Sequence, residues 1–192
     1  MARPQEFSTA EALHNALGIF WRRGYEATSL PDLLAATGLS RSSLYGTFGG
    51  KRELFLKAFD AYRADRAREM HRILDDGHAR HAIETFFGKI IADARVPGFS
   101  RGCMSTNQAV EMAPHDAEVR ARIEADFRLI EDALAATIGR GQAEGTIPRE
   151  RDARGVARLL VVAFPGFQVI ARAGVDGGRL RDALSLLLAN LD

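Results

Sequence analysis

Apolar positions recur every three to four residues along nearly the whole chain, and no stretch alternates β-branched with polar residues over a strand's length. This pattern predicts an all-α fold of about nine helices. Ser8 and Glu11 have capping-box spacing, and behind them Leu13, Ala16, Leu17, Phe20 and Trp21 form one stripe that ends at Gly24. Thr28 or Ser29 caps a short second helix carrying Leu30, Leu33 and Leu34, with Pro31 in its first turn and Gly38 as its stop. Ser40 caps a third. Leu39 and Leu44 have the spacing of a hydrophobic staple around that cap, which fixes the entry angle of the helix.

After Gly49 and Gly50, a long fourth helix begins at Lys51; its stripe of Leu54, Phe55, Ala58, Phe59 and Tyr62 gives way to a charged run from Arg63 to Arg72. Ile83, Phe86, Phe87, Ile90 and Ile91 mark a fifth helix, and the pattern breaks at VPGFSRG, residues 96–102. A sixth is expected from about Cys103 to Ala113, and a long seventh opens at Asp116 with Val119, Ile123, Phe127, Ile130, Leu134 and Ile138. The eighth spans Asp152 to Ala173, where Pro165 and Gly166 predict a kink. The ninth places Leu180, Ala183, Leu184, Leu187, Leu188 and Leu191 on one side.

Composition narrows the function. A chain of 192 residues with 46% hydrophobic and 27% charged residues can bury a substantial core. Its formal net charge of +1 means that any nucleic-acid surface must come from local clustering. One Cys allows no intrachain disulfide and no Cys-rich metal site, and His14, His71, His78 and His81 show no ligand constellation; no metal or cofactor is expected. The first residues, MARPQEFSTAEAL, lack the layout of a signal peptide, and the longest apolar run, Leu159 to Phe164, is far short of a membrane span. A soluble, cytoplasmic protein with no membrane partner is expected.

Two short helices joined by a tight Gly turn describe a helix-turn-helix, a pattern that many non-binding helical hairpins share. The chemistry of the third helix favours DNA: Arg41, Ser42, Ser43, Tyr45 and Thr47 suit base edges and phosphates and are not core filler. Between residues 37 and 57, Arg41, Lys51, Arg52 and Lys57 face only Glu53, a local charge of +3. Lys51 also opens a helix, where free N–H groups favour a phosphate.

These residues resemble the TetR-type transcriptional repressors, whose signature is matched by Thr28, Leu33, Gly38-Leu39-Ser40, Leu44-Tyr45-Gly46-Thr47-Phe48, Lys51 and Leu54-Phe55. The segment GCMSTNQAVEMAPHDAEV, residues 102–119, resembles one branch of that family. The chain departs from the family at Leu34, where a small residue is usual, and at Gly46-Thr47, which replaces a pair that is often polar or basic. The resemblance implies a helix-turn-helix domain over residues 1–50, a helical ligand-binding and dimerisation domain over 51–192, and a homodimer that binds a palindromic double-stranded operator and is released by a small-molecule effector. Its DNA contacts would be Thr28, Ser29, Arg41, Ser42, Ser43, Tyr45, Thr47 and Lys51.

In the remainder, Cys103, Asn107, Val110 and Glu111 share one face of the sixth helix, so that a thiol, an amide and a carboxylate can point inward together, with Phe86, Phe87, Phe127, Phe164, Phe167 and Gln168 as candidate pocket walls; ordinary core packing accounts for the aromatics as well. Leu159 and Ala163 on the eighth helix, with Leu180, Leu184, Leu187 and Leu188 on the ninth, are candidates for a four-helix dimer interface; the same stripes would equally cover the monomer's own core. Cys103 also suggests an alternative repressor triggered by an electrophile or oxidant, with Arg101 and the helix start lowering its pKa. Cys103, His115 and Asp116 have the residue types of a Cys-His hydrolase, but Pro114 separates them across a helix end and no oxyanion device accompanies them, so no enzyme is expected. A helical interaction module without DNA is the reading from another class.

Overall fold

The computed structural model describes residues 8–93, 101–174 and 177–192. Among them are nine α-helices and a closing 3-10 turn: α1 Thr9–Arg23, α2 Leu30–Thr37, α3 Arg41–Phe48, α4 Lys51–Leu74, α5 Ala79–Asp93, α6 Met104–Glu111, α7 Ala117–Glu144, α8 Ala153–Arg172 and α9 Gly177–Leu188, then Ala189–Leu191. The break expected at residues 96–102 falls largely outside the described residues.

Local chemistry accounts for the helix starts. Ser8, Ser40 and Asp116 each accept a backbone N–H of the first turn that follows. At α2 the cap is Ser29, not Thr28: Ser29 Oγ accepts from Asp32 N while the Asp32 carboxylate accepts from Ser29 N, a complete capping box. That double engagement, together with Arg23, holds the Asp32 carboxyl down at about 2. Gly38 sits at φ 69°, which a side chain would strain, and lets the chain turn directly from α2 into α3.

The helix-turn-helix sits on a core that α4 shares. Phe20, Leu33, Leu44, Phe48, Leu54 and Phe55 are buried together, and Phe20, Tyr25 and Phe55 meet edge to face or stacked. Leu44, fully buried in mid-helix, holds α3 to this core together with Phe48, so its truncation to Ala would cost about 2–5 kcal/mol. Helix α4, about 36 Å long at 1.5 Å per residue, then runs from this head into a second body. There α7 and α8 pack along each other, α5 lies against both, and α9 closes on α5 and α8.

Helix α8 continues through Pro165, and it is the one helix among the described residues long and apolar enough, by length and composition alone, to cross a bilayer. Its two apolar faces have separate uses. Ala157, Leu160, Phe164, Phe167 and Ala171 are buried inward, whereas Leu159, Val162, Val169 and Ile170 are exposed, Val162 by 77%.

Candidate functional site

The outer face of α3 carries no core residue. Leu44 and Phe48 point inward, and Arg41, Ser42, Tyr45 and Gly46 are left exposed, with Tyr45 at 50%. Arg41, Tyr45 and Thr47 make no side-chain hydrogen bond or ion pair among the described residues. Ser42 and Ser43 both lie against Ser40 Oγ, at 3.0 and 2.8 Å; Ser40 has one proton to give, so at least one of the two donates its own to Ser40 while keeping its lone pairs for an external donor. Lys51 lies at the edge of this face with its ammonium 4.3 Å from the centre of the Tyr25 ring.

Two expected members of the face are placed otherwise. Thr28 is fully buried and its hydroxyl donates to Gly24 O at 2.6 Å, so it braces the α1–α2 turn and has no path to DNA. Ser29 is exposed, but its hydroxyl also donates to Asp32 at 2.6 Å. Arg52, counted in the local charge, is committed elsewhere: its Nη2 lies 3.0 Å from Asp116 and 2.8 Å from Glu118, tying α4 to the start of α7. Asp116 is held below the usual carboxylate range by the Val119 amide and Arg52, and Glu118 by Arg52 and Arg122.

A cavity of about 130 Å³ opens between α4, α5, α7 and α8. Cys103, Phe86, Phe127, Phe164 and Gln168 line it. Phe87 does not: it is buried behind the wall, edge-on to Phe164 and Phe167. Asn107 and Glu111 are also absent from this wall. Helix α6 begins one residue after Cys103 and is only eight residues long, so the face that carries Cys103 at its start leads away from the cavity towards the head. Asn107 donates to Arg101 O at 3.0 Å, Val110 is 78% exposed, and Glu111 accepts from Glu26 N at 2.9 Å and from Gln108 Nε2 at 2.8 Å.

The sequence reading missed several wall residues. Trp21, read as core, reaches from α1 to donate to Gly102 O at 3.0 Å and meets the Tyr62 ring edge-on at 4.9 Å. Tyr62 is buried; its hydroxyl accepts from Met104 N at 3.1 Å and lies 3.5 Å from Cys103 Sγ, and burial pushes its pKa well up. Arg63, Arg66 and Glu69, from the charged run of α4, stand in the same wall with Ser105 and Asp126. The alternation of apolar and charged residues on α4 was the available signal.

The residue types of a hydrolase are not brought into one arrangement. Cys103 is buried beside Tyr62, Asp116 is used by the α7 cap and Arg52, and His115 is exposed.

The candidate dimer residues divide in two. Leu180, Leu184 and Leu188 are buried within the chain and seal α9 onto its own core, so they are not available for pairing. Leu159 is exposed and Ala163 and Leu187 are half-buried; the outward apolar set is completed by Val162, Val169 and Leu186, the last 76% exposed.

A three-helix head with an outward polar helix face, carried on a helical body, is the architecture of a DNA-binding transcriptional regulator. The profile described as bacterial regulatory proteins, tetR family, matches residues 12–58, and that described as tetracyclin repressor-like, C-terminal domain, matches residues 77–187. The chain belongs to the TetR family of bacterial transcriptional regulators. It is 36% identical over 194 residues to the uncharacterized HTH-type transcriptional regulator YezE of Bacillus subtilis (strain 168), with all of both chains covered. It is 29% identical to the HTH-type transcriptional repressor ComR of Escherichia coli (strain K12), covering 91% of this chain and 84% of ComR. Among solved structures, a cysteine mutant of the TetR-family regulator CifR complexed with 26-bp double-strand operator DNA superposes with a TM-score of 0.87 at 28% identity over all of both chains.

Proposed function

We propose that this protein is a homodimeric cytoplasmic repressor that holds a palindromic operator with two copies of α3 and is released by a small molecule entering the α4–α5–α7–α8 cavity. The observation that carries this reading is the outer face of α3, where Arg41, Tyr45 and Thr47 have no polar partner within the protein while Leu44 and Phe48 anchor the helix from behind. Such a helix breaks no internal bond of Arg41, Tyr45 or Thr47 on docking and offers a guanidinium for guanine, hydroxyls for phosphates and room at Gly46, where nothing lies within 4 Å of a Cβ. The superposition on a relative complexed with operator DNA supports operator binding. Residues 1–50 form the reading domain and 51–192 the sensing and pairing domain, with α4 built into both.

Release follows from the two ends of α6. Its start is fastened to the cavity wall by Tyr62 on Cys103 and Met104 and by Ser105 donating to Asp126 at 2.6 Å; its end is fastened to the head by Glu111 on Glu26 N. A ligand that displaces the start of α6 draws on the α1–α2 turn and re-aims α3, and its effect equals its differential affinity for the two arrangements.

The test uses the exposed face of α8. Leu159→Glu with Val162→Glu puts like charges on the proposed pairing surface without opening the core. Sedimentation should show a folded monomer, and a gel shift should show operator affinity falling by roughly two orders of magnitude or more while weak non-specific binding persists. A double variant that remains dimeric places the interface elsewhere.

A further inference from the structure

The cavity's dimensions and unused polar groups identify its ligand class, an inference that rests on the effector reading above. A space of about 130 Å³ is close to the roughly 150 Å³ that accommodates a benzene ring in an apolar protein interior. Phe86 and Phe164 stack face to face at 5.7 Å in the wall, and Phe127 and Ile130 are half-buried against it. One aromatic ring is the natural occupant.

The polar groups are nearly all spent on one another. Arg63 is held by Asp60 and Asp126, Arg66 by Glu69, and Lys89 by Glu69 and Asp93; Ser105 donates to Asp126. Every carboxylate in the wall is therefore neutralised. Left over are two neighbours one turn apart on α8, Gln168 and Arg172, which line the cavity and have no side-chain hydrogen bond or ion pair among the described residues. The Arg172 chain passes close over Gly102, another wall residue, where a Cβ would meet Arg172 Cδ at 3.2 Å, and Arg172 also borders the neighbouring cleft beside Gly24 and Glu111. A guanidinium and an amide are what remain to bind a ligand, and together they offer more donors than acceptors. We propose that the cavity takes a single-ring aromatic carboxylate, with the ring among the phenylalanines and the carboxylate forked by Arg172 and steadied by Gln168.

The experiment titrates the full chain with sodium benzoate, benzyl alcohol and benzylamine. Trp21, the chain's one tryptophan, stands in the wall, and its emission reports binding. Benzoate should bind about tenfold or more tightly than the alcohol, and the amine most weakly. Arg172→Ala should remove that preference and leave the alcohol's affinity unchanged, while Arg172→Lys restores part of it. Equal affinities for the three rings, a preference that survives Arg172→Ala, or no binding of any of them overturns the proposal. Ile130→Trp, which fills the cavity, should block all three; binding that persists in it also overturns the site. A gel shift separates the two readings: benzoate that binds through Arg172 but leaves the operator complex intact sinks the effector reading and upholds the ligand class.

Discussion

Helices α3 and α6 are each eight residues long and each rich in small polar residues, RSSLYGTF against MSTNQAVE, yet they are used in opposite ways. In α3 the polar residues face solvent and two apolar anchors hold the helix from behind. In α6, Ser105, Thr106 and Gln108 are buried, and Ser105 and Gln108 are tied to carboxylates on α7 and on α6 itself. A polar side chain left facing water is free to meet a ligand from outside. A buried one that bonds across to another element, as Ser105 does to Asp126, fastens one part of the molecule to another. The first helix reads; the second connects.

The sharpest way to break this contrast is at Gly24. It has φ 85°, and a Cβ there would lie 2.7 Å from both Glu111 carboxylate oxygens, so Gly24→Ala should cost about 2–4 kcal/mol by thermal unfolding, from backbone strain and loss of the α6 link. Adding Glu111→Ala should recover part of that loss, and a strictly additive double mutant would show that the two residues do not interact. Next, Arg41→Ala should leave the melting temperature unchanged and cost about 1–3 kcal/mol of operator binding, with preference relaxed at one position per half-site; equal loss on all sequences makes Arg41 a phosphate clamp.

A matched pair of serines gives a smaller contrast. Ser105→Ala leaves Asp126 with Arg63 alone and should cost about 1 kcal/mol of stability, while Ser42→Ala should cost well under that and alter only DNA binding. Acid gives the smallest effect. Asp116 and Glu118 titrate below their ordinary values of 3.8 and 4.5, so the Arg52 clamp is fully present above those values and is lost as pH falls through the lower, folded ones. The melting temperature should therefore drop below about pH 4, and Asp116→Asn should flatten that drop. An unchanged pH profile in the variant would show that the clamp does not contribute.

The same contrast explains what the sequence made legible. Caps, stops and the Leu39–Leu44 staple act within a few residues of one another, so α1, α2, α3 and α7 begin where Ser8, Ser29, Ser40 and Asp116 lie. That Arg41, Ser42 and Tyr45 face outward was readable because the helix's two buried anchors, Leu44 and Phe48, lie one turn apart on the opposite side. The roles of Thr28, Glu111 and Trp21 were not readable, because each is set by a partner that the fold brings up: Gly24 O, Glu26 N and Gly102 O. The leucines of α9 failed for a different reason. A stripe with helical period looks the same whether it covers the chain's own core or a second copy, and here Leu180, Leu184 and Leu188 cover the core.

Gly46 carries one more consequence. It lies in mid-α3, exposed and with nothing within 4 Å of a Cβ, so the reading face has an empty tooth. Filling it disturbs no packing and gains up to about 1 kcal/mol of helix propensity. Under the proposed function, the chain keeps at the centre of its reading face a position where a single codon change would rewrite operator choice while folding is left intact or improved, and a duplicated copy would have there an open route to a new set of genes.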